Sequence, residues 1–332
     1  MKNYSDREYL SATAMVRGFE NHMVDRKGLQ KMIDARSAEE AFKVVADTGM
    51  GTGFSHEEYE DCLSKALADT YRLVGEACKD PRVMELLRYK YDGHNLKTLL
   101  KARRTGTDPS AILSPLGNLE PKALQEELAS GRYEKLNPRL AQAAEEGGEL
   151  LAKVCDPQMV DILVDRAVLE ASLETARQVG NRFLMEYCTA QTDIANIRSA
   201  VRLKRMGKDV FFLRRVLAPG GKVDEGKLCE AFPKGMEELL AVVSFSDYGR
   251  FLEPSFDSLR TGGTLTAFER LCDNYLVSLL AGTRMISFGL EPVVAYLLGR
   301  ENEIKAVRIV MASKLAGVSP QQITERLRDS YA

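Results

Sequence analysis

Three places in the sequence carry residue types that chemistry could use. The first is the run Gly49-Met50-Gly51-Thr52-Gly53-Phe54-Ser55. A phosphate-binding loop ends in Gly-Lys-Ser/Thr, because its lysine must reach the phosphates, and this run does not end that way. It also misses the third glycine of a dinucleotide fingerprint, since Phe54 stands near that place. The run reads as a plain turn, and ATP binding by this chain is not expected. The second place is His56-Glu57, the opening of a zinc-protease string. No histidine follows four residues after His56, so two imidazoles cannot share one helix face toward a metal. His22, His56 and His94 are the only histidines, which excludes a histidine-rich metal site. His94 reads as a helix-start or packing histidine. The third place is the series Asp156, Asp161 and Asp165, the last two one turn apart. Arg166 and Arg177 neutralise that surface, so it reads as a solvated face rather than a metal site. No Asp-Asp pair exists for a DDxxD-type site, and no GxSxG elbow is present. The six cysteines, at 62, 78, 155, 188, 229 and 272, form no CxxC pair and read as small buried hydrophobes. No catalytic residue, metal or cofactor is expected.

The elements that must position these residues are helical. Asp156-Pro157 puts a capping carboxylate before a proline at the first helical position, and Asp80-Pro81 does the same. After Pro157, the residues Val160, Leu163, Ala167, Leu169, Leu173 and Ala176 recur near the helical period. Ser37 with Glu40, Ser55 with Glu58, and Ser319 with Gln322 have capping-box spacing. Few runs alternate at period two, so the fold class is all-α. Breaks are expected at 49–53, at Thr107-Asp108-Pro109, at Gly147-Gly148, at Pro219-Gly220-Gly221 and at Gly262-Gly263. None is long enough for a flexible linker, which predicts packed units.

The chain has 332 residues, more than one core usually organises, so two or three units are expected. Hydrophobic residues make up 45% and charged residues 28%, which argues against disorder. The formal net charge of −2 offers no bulk field for nucleic acid. The opening MKNYSDREYL lacks an apolar signal core. Asn274 to Thr283 is among the longest uncharged stretches and falls far short of the roughly 20 apolar residues of a spanning helix. A cytoplasmic chain is expected, reaching any membrane through a partner.

The sequence also resembles itself. YDGHNLKTLLKARR around Asn95, TDIANIRSAVRLKR around Asn196 and GRENEIKAVRIVMA around Glu303 repeat at an offset of about a hundred residues, far longer than a solenoid repeat. Leu96, Ile197 and Ile304 are equivalent apolar anchors, and Leu99/Leu100 match Ala200/Val201. In the third copy Val307 fits and Arg308 does not. Spacings of three and four put these anchors on one buried face. Lys97, Arg198 and Lys305 share the next position. The first copy adds Lys101, Arg103 and Arg104, and the second adds Arg202, Lys204 and Arg205. For a single helix such cations read as a solvated face. Recurrence around a pseudo-threefold axis would instead aim them into one cavity, toward an acidic or polar partner element. Lys97, Lys101, Arg198, Arg202 and Lys305 are therefore the candidate partner-binding residues.

The segment RYKYDGHNLKTLLKAR, Arg88 to Arg103, resembles a signature of the C subunit of archaeal and bacterial V-type (A-type) ATPases, the relatives of the d subunit of the vacuolar enzyme. That signature runs aromatic, acidic, then HNLK, and Tyr91, Asp92, His94, Asn95, Leu96 and Lys97 carry it. Gly93 departs from it, standing where an aromatic is common. The opening stretch is also similar to the family's, with Tyr9, Arg17, Glu20, Leu29 and Ala41 in matching places. The resemblance implies a funnel-shaped protein of three similar helical domains, 1–107, 108–208 and 209–332, around a pseudo-threefold axis. It implies a non-catalytic member of the central stalk, whose partners are the D and F stalk proteins on one side and the membrane proteolipid (c/K) ring on the other. Such a protein serves ion transport or ATP synthesis, and other members of the complex choose H⁺ or Na⁺. Two further readings stay open on the residues alone: a generic helical scaffold or adaptor, and a helical enzyme with an unrecognised site.

Overall fold

The computed structural model describes residues 4–153 and 156–332, so Cys155 lies outside the described residues. Among the described residues every regular element is a helix. In chain order these are α1 (Leu10–Glu20), α2 (Arg26–Asp34), α3 (Ala38–Asp47), α4 (Tyr59–Ala77), α5 (Pro81–Thr105), α6 (Pro121–Ser130), α7 (Pro138–Lys153), α8 (Pro157–Val179) and α9 (Arg182–Arg205). They continue with α10 (Val210–Val216), α11 (Glu225–Ala231), α12 (Met236–Ser244), α13 (Gly249–Leu252), α14 (Phe256–Arg260), α15 (Thr266–Gly282), α16 (Leu290–Leu315) and α17 (Pro320–Arg326).

The helix starts follow from capping chemistry. The Asp80 carboxylate accepts the Arg82 N–H at the head of α5, and Asp156 accepts from Gln158 and Met159 at the head of α8, each before a proline. An orphan N–H is satisfied and the missing proline donor costs nothing there. Ser37 caps α3 through the Glu40 N–H at 3.1 Å, and Ser319 caps α17 through the Gln322 N–H. Ser55 donates its N–H to Glu58 at 2.9 Å, just before α4.

One expected break is absent. Gly147-Gly148 lies inside α7, which runs unbroken from Pro138 to Lys153. A side-chain carbon on Gly147 would sit 3.3 Å from Leu100 and 3.6 Å from Val160. The glycine is used for close helix approach, not for a turn, and the packed neighbours outweigh its low helix propensity. Gly93 does the same on α5, where a Cβ would press within 2.5 Å of Val168 on α8. The aromatic that is common in the family at this place would have no room.

The chain divides into two compact units, one formed by Asp80–Ser246 and the other by the segment up to Lys79 together with Asp247–Ala332. In the first, α8 packs against α5, α7 and α9, and α9 packs against α10 and α12. In the second, α16 lies against α1, α2, α3, α4 and α15. It is covered on most sides, and its apolar residues are buried along nearly its whole length. Val293, Val294, Leu297, Val307 and Val310 are all fully buried along it. Ile304, Val307 and Met311 share one core with Met32, Phe42 and Leu63. Of the cysteines described, Cys62, Cys188, Cys229 and Cys272 are buried and Cys78 is half-buried. Burial pushes the Cys188 thiol up to about 12, so it behaves as a hydrophobe.

Candidate functional site

The signature residues of α5 form a clasp. The Asn95 amide donates to the Ser114 carbonyl (2.7 Å), and its oxygen accepts the Ser114 N–H (2.8 Å). Asp92 accepts the N–H groups of Asn118 (2.7 Å) and Leu119 (3.3 Å) and the Asn118 side-chain amide (2.7 Å). His94 sits in mid-helix, not at a helix start, and its Nε2 lies 2.8 Å from the Ile112 carbonyl. A carbonyl only accepts, so this nitrogen carries the hydrogen. The HNLK motif thus ties α5 to the segment that follows it.

The same clasp recurs on α9. Asn196 donates to the Ala218 carbonyl and accepts its N–H, both at 2.8 Å. Asp193 accepts the N–H groups of Lys222 (3.0 Å) and Val223 (2.9 Å). In both copies the carboxylate takes N–H groups of the segment leading into a short helix. Both also need a glycine, Gly117 or Gly221, because any side chain there would collide with the aspartate. On α16 the carboxylate moves. Position 300 is arginine, and Glu303 accepts the N–H of Val24, again just before a short helix, α2. The receiving segment here comes from the start of the chain. Asp92, Asp193 and Glu303 are buried, as are Asn95 and Asn196. Burial raises the carboxyls of Asp92 and Glu303 above their ordinary range.

The predicted cations divide by element. Lys97 Nζ lies 2.6 Å from Asp165, and Lys101 Nζ lies 2.5 Å from Asp161. Two lysines one turn apart on α5 therefore face two aspartates one turn apart on α8. These lysines, rather than Arg166, neutralise the acidic series, while Arg166 pairs with Glu170 at 2.8 Å. Arg198 is half-buried and Arg202 exposed, one turn apart on α9. Lys305 is exposed on α16, in the other compact unit. In the third copy Arg308 reaches Glu60 on α4 at 2.9 Å, which accounts for its poor fit to the apolar pattern.

Exposed apolar side chains beyond the long helices were not foreseen from the sequence. Past α9, Met206 and Phe211 are 58% and 71% exposed, beside exposed Lys208, Arg214 and Arg215. The nearby Asp209 carboxylate is engaged, accepting the Phe212 N–H at 2.7 Å. Met, Phe and Arg are the residue types enriched at protein interfaces. Ile112 after α5 and Leu315 at the end of α16 are also exposed. The available signal was RMGKDVFFLRR, where large apolar residues sit at a glycine turn amid cations.

The family-like opening residues hold a second exposed feature. Arg17 Nη2 donates to the carbonyls of Thr283 (2.9 Å), Arg284 (3.2 Å) and Ile286 (3.2 Å). That fixes a turn on which Met285 is 90% exposed. Glu20 accepts from Arg17 and from Tyr331 Oη. Tyr9 is buried. Among the described residues no group of three or more His, Cys, Asp or Glu side chains could hold a metal ion, and no helix is long and apolar enough to cross a membrane.

Comparison with known proteins points the same way as the clasp. The C subunit of a V-type sodium ATPase from Enterococcus hirae is 24% identical across 98% of this chain and 99% of its own length. The C subunit of the A-type ATP synthase of Haloquadratum walsbyi is 24% identical across 97% of this chain and 93% of its own length. Its counterpart from Methanocaldococcus jannaschii is 23% identical across 96% of this chain and 86% of its own length. Residues 12–326 match the family described as ATP synthase (C/AC39) subunit, and with nearly the whole length covered the chain belongs to that family.

Proposed function

We propose that this chain is the non-catalytic coupling element of a V/A-type rotary ATPase, seated between the D–F rotor shaft and the membrane proteolipid ring. The observation that carries the reading is the buried carboxylate clasp found on α5, α9 and α16. It supports a protein built from three similar helical domains, 1–107, 108–208 and 209–332, set around a pseudo-threefold axis as a funnel. A rotating adaptor must not unwind under load. Loops fastened to long helices by buried, fully paired polar groups give that stiffness. Arg198, Arg202 and Lys305, with Lys97 and Lys101 held in ion pairs, are the cations offered to the shaft. The exposed Met206, Phe211, Arg214 and Arg215 fit a partner that is acidic and apolar. The protein works at the cytoplasmic side and reaches the membrane through the ring.

The test is reconstitution. The purified chain is mixed with a D–F complex and, separately, with detergent-solubilised proteolipid ring, and is assayed alone for ATP hydrolysis. Binding to both without hydrolysis is expected. Failure to bind either at low salt, or turnover by the isolated chain, would overturn the reading.

A further inference from the structure

The long repeat helices α5, α9 and α16 end alike. Each stops at a glycine with positive φ, Gly106 (70°), Gly207 (66°) or Gly317 (68°). Three residues before the glycine stands a cation spent on a carbonyl of its own unit: Arg103 on Leu128, Lys204 on Phe232, Lys314 on Ile33. Two residues after it stands a side chain that accepts a backbone N–H: Asp108 from Ser110 (3.0 Å), Asp209 from Phe212 (2.7 Å), Ser319 from Gln322 (3.4 Å). These shared duties set the three turns in one register.

In that register only the middle copy adds side chains that are apolar and basic and have no such duty. Where it has Met206, Lys208 and Phe211, the first copy has Thr105, Thr107 and Ser110, and the third has Ala316, Val318 and Gln321. Met206 and Phe211 are both more than half exposed. Spacings of three and four put the exposed Arg214 and Arg215 on the Phe211 face of α10. Lys208 lies over the Phe212 ring at 5.3 Å. Among the described residues Lys208, Arg214 and Arg215 form no ion pair. Residues 206–216 hold one carboxylate, Asp209, which is engaged as the cap of α10. The tip is thus an apolar pair flanked by unpaired cations.

We propose that this tip docks an acidic amphipathic helix of a protein partner, whose apolar side chains seat on Phe211 and Met206 and whose carboxylates meet Lys208, Arg214 and Arg215. Arginine suits carboxylates because its planar donors pair with two oxygens at once. An anionic membrane fits less well, since lipid-binding clusters gather about four to eight basic residues and this tip has three. The other two turns lack these side chains, so the partner docks at one of three otherwise similar turns. Which protein supplies the helix rests on the coupling reading above; the chemistry of the tip does not.

The chain contains no tryptophan, so Phe211→Trp places a single reporter at the tip. The full-length variant is titrated with a synthetic helix bearing leucine on one face and glutamate on the other, with its lysine counterpart, and with phosphatidylserine vesicles. The glutamate helix should shift the emission to the blue, saturably, and more weakly as salt is added. The lysine helix and the vesicles should not. Adding Arg214→Glu and Arg215→Glu, both at exposed positions, should weaken binding about tenfold or more with unchanged circular dichroism. Ser110→Trp and Gln321→Trp, at the matching places of the other turns, should not respond. No shift with the glutamate helix, a shift with vesicles instead, affinity unchanged by the charge reversals, or an equal response at Ser110→Trp or Gln321→Trp would overturn the proposal. A D–F complex separates this from the coupling reading. If the tip binds the glutamate helix while D–F does not bind the chain, the tip stands and the reading falls; if D–F binds and the glutamate helix does not, the reverse holds.

Discussion

Replacing Asn196 by alanine removes both hands of one clasp. The amide gives one hydrogen bond to the Ala218 carbonyl and takes one from its N–H, each at 2.8 Å. Ala218 is 1% exposed, so water has no ready path to the two groups left behind. An unpaired buried backbone group costs ~1–3 kcal/mol, which for two groups puts the change at about 2–6 kcal/mol. That is a large part of the ~5–15 kcal/mol that holds a domain together. A chain with two compact units need not unfold in one step, so a single melting curve would blur the effect. Amide hydrogen exchange reads it locally. Protection at Ala218 and Lys222 should fall about thirtyfold or more, while amides of α16, in the other unit, keep theirs. Asn95→Ala supplies an internal control, because Asn95 holds Ser114 with the same two bonds. Its loss at Ser114 should have the same sign but be smaller, because Ser114 is half-buried and water can reach the groups left behind. Wild-type protection at Ala218 in the first variant would refute the clasp as a stabilising device. A large loss in one copy and none in the other would refute the equivalence of the two.

Other perturbations address charge, shape and the chain's end. Burial raises the folded-state carboxyl of Asp92 above its ordinary 3.8, so its contribution is full below that value and is lost as pH rises through the raised one. Asp92→Asn removes this titration, so denaturant titrations should show the variant's deficit shrinking as pH climbs from below 3.8. Lys97→Glu, Arg198→Glu and Lys305→Glu combined should leave the circular dichroism intact and weaken binding to a D–F complex at low salt, whereas unchanged affinity would remove these cations from the interface. Leu99→Pro, inside α5, should lose ~3 kcal/mol or more by breaking a buried helix, and an unchanged melting temperature would contradict that. The Tyr331 ring fills a slot against Gly299 that no side-chain carbon could share, and Tyr331→Ala should cost about 3–5 kcal/mol in the unit that holds both chain ends, read by chemical denaturation.

What the sequence made legible was local. Asp80-Pro81 and Asp156-Pro157 predicted two helix starts because a cap is a contact between neighbours, and both are present. The equivalence of Asn95 and Asn196 was visible because identical duties left similar residues. Gly147-Gly148 misled because a glycine pair looks the same whether it ends a helix or lets two helices touch. The difference lies in Leu100 and Val160, which only the fold brings there. Asp161 and Asp165 were matched with the arginines nearest in sequence, but their partners are lysines on another helix. The exposed Met206 and Phe211 were passed over because hydropathy alone assigns such residues to the core.

The third copy explains why the repeat was faint there. A clasp needs a buried acceptor aimed at the N–H before a short helix, and two geometries supply it. Aspartate reaches from one position, and the longer glutamate reaches from three residues later. Once Glu303 has taken the Val24 N–H, an aspartate at position 300 would add a second buried negative charge with nothing to accept. Arginine there reverses the sign and neutralises Glu303 instead. The change at 300 and the change at 303 are thus one event, intelligible only as a pair. The receiving segment has also moved, from just after the helix to the opposite end of the chain. A repeat defined by residue identity loses this copy, while a repeat defined by which N–H must be satisfied keeps it.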